Sequence, residues 1–270
     1  MNRLQENLLE IIIEVDRICR KHNINYFLDG GTALGAIRHK GFIPWDDDAD
    51  IGMPREDYEK FITVAREELN SKYFLQIPES EPNYFLTYAK VRKNNTKYVE
   101  SATKKIKMHQ GIFVDIFPYD FLPREGAKER YKFMSKLRYE IYEWGVPSLA
   151  SMPQKTISYK IRSLGRYIRY LLLHMKPRDK LFERFNKECI KYNEFCDDTF
   201  LTTSFSFGMG KYYLYPVRIL ETEDIEFEGN KFRISKNIHE YLEITYGDDY
   251  MKLPPEEERY QHNAVEVEFI

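Results

Sequence analysis

Cysteine is scarce: Cys19, Cys189 and Cys196 are too few and too scattered for a disulfide framework or a zinc site. They read as reduced thiols of a cytosolic protein. An excess of charge of one sign is also missing, because 41 Lys and Arg stand against 43 Asp and Glu, for a formal net charge of -2. A general nucleic-acid binder carries a basic excess to neutralise phosphates, so that class is set aside. Long apolar runs are lacking too, and stretches such as Leu171-Leu172-Leu173 fall far short of the ~20 residues a bilayer demands. Met1-Asn2-Arg3 leads into an amphipathic pattern instead of the apolar core of a signal peptide, and a cytoplasmic location is expected. What remains, 43% hydrophobic and 31% charged residues over 270 positions, suits a folded chain with a sizeable core.

Leu4, Leu8, Ile11, Ile12, Val15, Ile18 and Cys19 recur at helical spacing and predict a helix from about residue 3 to 22. Ile24 to Leu28 reads as a short buried strand, followed by the turn Asp29-Gly30-Gly31 and a helix from Thr32, which can cap it, to about His39. After Lys40-Gly41-Phe42-Ile43-Pro44 and Trp45 comes the acidic stretch Asp46-Asp47-Asp48-Ala49-Asp50, then a helix from about Pro54 to Leu69. Phe74 to Ile77, Phe85 to Arg92 and Gly111 to Phe117 are rich in aromatic or β-branched residues and predict strands. From about 128 to 194 the chain turns helical, Lys-, Arg- and Tyr-rich, and is broken at Pro147, Pro153 and Pro177. A hairpin around Phe227 to Phe232 and a helix from Asn237 to Tyr246 follow. The expected architecture is α+β: a mixed sheet flanked by helices over 1–127, a helical insertion or lobe over 128–200, and a segment over 201–270 that completes the core.

Side chains alternate faces along an extended segment, so Asp48 and Asp50 point one way while Ala49 and Ile51 point into the core. Two carboxylates so close repel, and a cation relieves the cost. A site of Asp oxygens without His or Cys suits Mg²⁺, with Mn²⁺ as substitute, and Mg²⁺ commonly shares its shell with substrate phosphates. Gly30-Gly31, between strand and helix with Thr32 behind, lets backbone N–H groups approach an anion. Asp115 breaks the otherwise apolar strand Gly111-Ile112-Phe113-Val114-Asp115-Ile116-Phe117 and needs a partner, which makes it the third metal ligand. Asp46 or Asp115 can take a proton from an attacking hydroxyl, and Arg38, Lys90 and Arg92 can hold phosphate oxygens. Strand-Gly-Gly-helix, Asp-x-Asp, then a strand with a lone Asp is the pattern of the nucleotidyltransferase superfold.

The run from Gly30 to Ile51 resembles the signature of LicD-type phosphotransferases, as do Lys90-Val91-Arg92 with Thr96, Val114-Asp115-Ile116-Phe117-Pro118 with Asp120, and Tyr246-Gly247-Asp248. The likeness continues through Met251, Leu253-Pro254-Pro255, Arg259 and His262, and adds Arg259 and His262 to the substrate-binding candidates. It implies transfer of a phospho-alcohol, typically phosphocholine from CDP-choline, onto a sugar hydroxyl of a surface-glycan precursor such as lipopolysaccharide, teichoic acid or capsule. Fukutin and fukutin-related protein share the signature and use CDP-ribitol, so another CDP-alcohol fits equally.

Plainer readings stand beside these. Asp46-Asp47 can be a solvated loop, Asp115 a hydrogen-bonded structural acid, and Arg38-His39-Lys40 a cationic cluster favoured by the end of a helix. Residues 155 to 180 carry eight Lys or Arg against one Asp, with Ile157, Ile161, Leu164, Ile168, Leu171 and Leu172 near helical spacing. Such a segment either packs on the core or touches the inner membrane face peripherally, where a lipid-linked glycan acceptor resides. The competing functions are a nucleotidyltransferase that moves a nucleoside monophosphate from a triphosphate, and a catalytically silent nucleotide-binding module.

Overall fold

The structure is a computed structural model, and it describes residues 1–146, 157–194, 199–203, 212–259 and 264–269. Pro147, Pro153, Cys196 and His262 lie outside the described residues. In chain order the elements are α1 (Arg3–Lys21), β1 (Phe27–Leu28), α2 (Gly30–His39), β2 (Asp50–Pro54), α3 (Arg55–Glu68), β3 (Tyr73–Gln76), β4 (Ala89–Lys93), β5 (Lys97–Glu100) and β6 (Phe113–Pro123). There follow α4 (Ala127–Gly145), α5 (Ile157–His174), α6 (Arg178–Ile190), β7 (Thr199–Thr203), β8 (Tyr215–Pro216), β9 (Thr222–Phe227), β10 (Asn230–Ser235), α7 (Ile238–Tyr246) and β11 (Ala264–Glu268). The class is α+β.

Helix α1 begins with a reciprocal cap. The Gln5 N–H donates to the Asn2 side chain at 2.9 Å, and the Asn2 N–H donates to the Gln5 side chain at 3.1 Å. The Gln5 amide also donates to the carbonyls of Ile43 and Asp46, each at 3.1 Å, so the start of α1 steadies the loop that delivers the acidic stretch. The buried stripe of Leu8, Ile11, Ile12, Val15 and Ile18 packs α1 against α3, β4 and β6.

Seven strands form the main sheet, in the order β1-β2-β6-β4-β3, with β7 also on β6 and β8 on β7. Strand β2 runs parallel to β6, and β1, β4 and β7 run antiparallel to their neighbours. β6 is longer than its sequence suggests and passes straight through Pro118, where a strand is expected to stop. The pairing explains this. On one side β4 faces residues 113 to 116 and β7 takes over at 119, so Pro118 falls in the gap between two partner strands. The Asp115 N–H donates to Ala49 on the β2 side, so alternation aims the proline nitrogen at that gap and no ladder bond to β4 or β7 is lost.

Helices α1 and α3 cover the face of β6 that carries Val114, Ile116 and Asp120. Arg55, at the start of α3, grips Asp120 with contacts of 2.9 and 2.6 Å, and the Asn193 amide adds a third at 2.8 Å. Asp120 is therefore a structural anchor, on the opposite face from Asp115. Helices α4 and α6 build a second apolar cluster with Leu122 of β6, through Tyr131, Met134, Leu137, Phe182 and Phe185. The chain re-enters the sheet at Thr199, and the β9–β10 hairpin and α7 pack into the main core through Phe227, Phe232, Ile234 and Leu242.

Candidate active site

The parallel pairing of β2 with β6 sets Asp50 directly opposite Asp115. Residues opposed in this way share a face and stand about 4.8 Å apart. Ala49 and Ile51 are wholly buried, Asp50 is buried and Asp48 half-buried, as alternation requires. The Asp50 N–H donates to the Thr32 hydroxyl at 2.9 Å, which fixes β2 against α2. Thr32 thus does not cap α2 as expected; Asp29 does, because its carboxyl reaches back to the Gly30 N–H at 2.9 Å.

The glycine pair is demanded by the acids. A Cβ on Gly30, whose φ is +50°, would lie 2.7 Å from an Asp50 carboxylate oxygen, and one on Gly31 would lie 2.8 Å from an oxygen of Asp46. The start of α2 therefore sits against two carboxylates of the acidic cluster. Among the described residues, Asp46, Asp47 and Asp48 offer carboxylate oxygens that all lie within 4.8 Å of one another. Asp47 is committed inward, where the Tyr98 phenol donates to it at 2.6 Å.

Burial, with the charges of Asp48, Asp115, Asp29 and Asp46, pushes the Asp50 carboxyl well above the usual range. Burial also raises Asp115, to about 6, although Lys90 pulls against it. Two full negative charges about 5 Å apart repel by roughly 3 kcal/mol at an effective dielectric of about 20. That exceeds the ~1 kcal/mol net gain of an ordinary hydrogen bond, so local hydrogen bonding does not hold such a cluster ionised. An all-oxygen donor set with surplus negative charge fits a hard divalent cation. Among the described residues the carboxylates close enough to share one cation are those of Asp46, Asp47 and Asp48, while Asp50 and Asp115 stand opposite one another on β2 and β6.

Two residues expected to hold phosphate are engaged by protein groups. Lys90 is 2% exposed, its ammonium 2.6 Å from Asp115 and 3.4 Å from the centre of the Phe113 ring. Arg92 is 1% exposed and donates to the Gln76 side chain and, at 2.6 Å, to the Gly111 carbonyl. Both project from β4 on the Asp115 side of the sheet and are enclosed, with these protein groups as their partners. A carboxylate has several lone pairs, so the bond from Lys90 does not exhaust Asp115.

Arg38 and Arg259 both lie against Trp45, the residue before the acidic stretch, with guanidinium carbons 6.0 and 4.5 Å from the indole centre. Arg38 donates to the carbonyls of Tyr250 and Lys252, Arg259 to that of Pro254, and Asp46 lies close enough to Arg38 to favour its charge. The sequence reading overlooked the support around Asp29. Its carboxyl accepts the Tyr119 phenol at 2.9 Å and the Tyr241 phenol, which locks α2 to β6 and α7. An Asp directly before Gly-Gly at a helix start is the signal for it. Cavities of about 370 Å³ between α3 and β3, and about 390 Å³ between α4 and α6, contain none of these acids.

Residues 23–161 match the family model described as LicD/FKTN/FKRP, nucleotidyltransferase domain. Over 261 residues, 96% of this chain and 94% of the relative, the sequence is 34% identical to the lipopolysaccharide cholinephosphotransferase LicD of Haemophilus influenzae. The chain belongs to the LicD family. It is accordingly a phosphotransferase. A shorter likeness, 53% identity over 34 residues, links it to the ribitol 5-phosphate transferase FKRP of human and mouse, covering 13% of this chain and 7% of theirs. In this LicD-family chain the acidic motif and the lone strand acid face one another across a single pair of strands.

Proposed function

We propose that the protein transfers phosphocholine from CDP-choline to a sugar hydroxyl of a cell-surface glycan precursor, in a reaction that requires Mg²⁺ or Mn²⁺. The observation that carries this reading is the register of Asp50 against Asp115, with Asp48 alongside and Gly30-Gly31 in contact with the cluster. The near full-length likeness to a cholinephosphotransferase supports the choice of donor.

Asp48, Asp50 and Asp115 would hold the cation, which would neutralise charge on the donor diphosphate and on the departing CMP. The acceptor oxygen attacks the phosphorus of the phosphocholine group, the bridging P–O bond to CMP breaks, and the hydroxyl proton passes to a carboxylate. Asp46 is best placed to receive it, since it is half-buried on the rim while Asp115 is enclosed with Lys90. Lys90 fixes the position of Asp115, and Thr32 fixes that of Asp50. Arg38 and Arg259, both against Trp45, are available to a phosphate or a base.

The test is a donor screen. CDP-choline, CDP-ribitol, CDP-glycerol and CDP-ethanolamine are each incubated with the protein, with and without Mg²⁺, and CMP release is followed. Metal-dependent CMP release strongest with CDP-choline is expected. Pyrophosphate release from a nucleoside triphosphate, with CDP-alcohols untouched, would overturn the proposal in favour of nucleotidyl transfer.

A further inference from the structure

Helix α5 carries four basic residues, Lys160, Arg162, Arg166 and Arg169, and no acidic one, in a chain whose formal net charge is -2. One side of its C-terminal half packs on α4. Leu173 is buried there, the Trp144 and His174 rings stack at 5.1 Å, and Arg169 pairs with Glu143 at 2.6 Å. Leu164, Tyr167, Ile168, Leu171, Leu172 and Met175 lie on the other side and are 39% to 80% exposed. At 100° per residue these six span an arc of about 140°, with Leu173 diametrically opposite. The stripe is thus a continuous apolar face and not a scatter of single exposed residues. Among the described residues, no helix is long and apolar enough to cross a membrane.

We infer that this face of α5 is a lipid-docking surface that seats the protein on an anionic membrane. Charge decides between lipid and protein as its occupant. A helix–helix contact between copies is stabilised by acids opposite bases, and α5 offers no acid. An apolar stripe on a helix with only basic charge is complementary to acyl chains beneath anionic headgroups. Lys176, exposed just beyond the helix, adds one more basic residue at the end of the stripe. The inference does not depend on the reading of the acidic site, because it uses no residue of that site and its test needs no donor.

The full-length chain is sedimented with vesicles of phosphatidylcholine alone and with vesicles in which about a third of the lipid is phosphatidylglycerol. Binding to the anionic vesicles only is expected, and it should weaken in about 0.5 M NaCl, where surface charge is screened. Replacing Ile168→Asp and Leu172→Asp together should lower the affinity at least about tenfold while the unfolding midpoint moves by no more than about 2 °C, since both sites are exposed. Lys176→Gln should weaken binding about fivefold, which keeps the test decisive if the double variant misfolds. Equal binding to both vesicle types, or binding indifferent to salt and to Lys176→Gln, would overturn the inference. So would a wild type that ignores vesicles but dimerises in light scattering, with the double variant monomeric, for the face would then join two copies.

Discussion

Asp50 is surrounded by Asp48, Asp115, Asp29 and Asp46, all of which make its ionisation harder. Replacing it with Asn relieves that repulsion and removes a ligand at the same time. In chelator the Asp50→Asn protein should be more stable than wild type by about 0.5–2 kcal/mol, measured by urea unfolding. Its turnover should nevertheless fall at least about 10²-fold in a CMP-release assay, by comparison with removal of one preorganised electrostatic stabiliser. Normal turnover would sink the metal assignment. Lys90→Met strands a buried carboxylate and should cost about 3–5 kcal/mol near neutral pH. Because Asp115 then takes a proton more readily, that cost should shrink when unfolding is repeated near pH 5. Period-two alternation exposes the pairing of Asp48 with Asp50 in the sequence, since both lie on one short segment. It does not reveal Lys90 as the partner of Asp115, because that depends on which strand adds beside β6, and the chain states this only through non-local pairing.

Helix α2 shows how an element is shaped by its site. Gly30 opens it at a φ of +50° with no room for a Cβ beside Asp50. Gly30→Ala should therefore cost about 1–3 kcal/mol from the backbone conformation alone. It should also displace Asp50, so that turnover falls more steeply than the unfolding midpoint; unchanged kinetics in a destabilised protein would show the glycine to be purely structural. Amphipathic elements are easy to find from residues: α1 and α3 end within a residue or two of where their periodicity stops. The strands are harder. Phe85 and Tyr88 are buried and aromatic like strand residues, yet β4 begins only at Ala89. Pro118 suggests an end to β6 where the strand continues, and only the handover from β4 to β7 makes the missing N–H harmless.

For the whole molecule, the acidic cluster links stability to pH and to metal. Asp115 rises from an ordinary value near 3.8 to about 6, so the folded protein keeps a proton that the unfolded chain has already released. Without metal, this group should make the protein less stable as pH climbs from about 4 to 6, with Asp50 acting in the same direction. Adding Mg²⁺ at a hundred times its dissociation constant should restore about 2.7 kcal/mol, and more at pH 7 than at pH 5, because protonated carboxyls do not ligate. Midpoints that ignore both Mg²⁺ and pH would contradict a metal centre. The parallel register of Asp50 with Asp115 also has a consequence during synthesis. A chain emerging from the ribosome exposes Asp46 to Asp50 long before β6 exists to receive them, with α3, β3, β4 and β5 still to be made in between. A nascent fragment that stops before β6 therefore lacks Asp115 and should release no CMP from the donor.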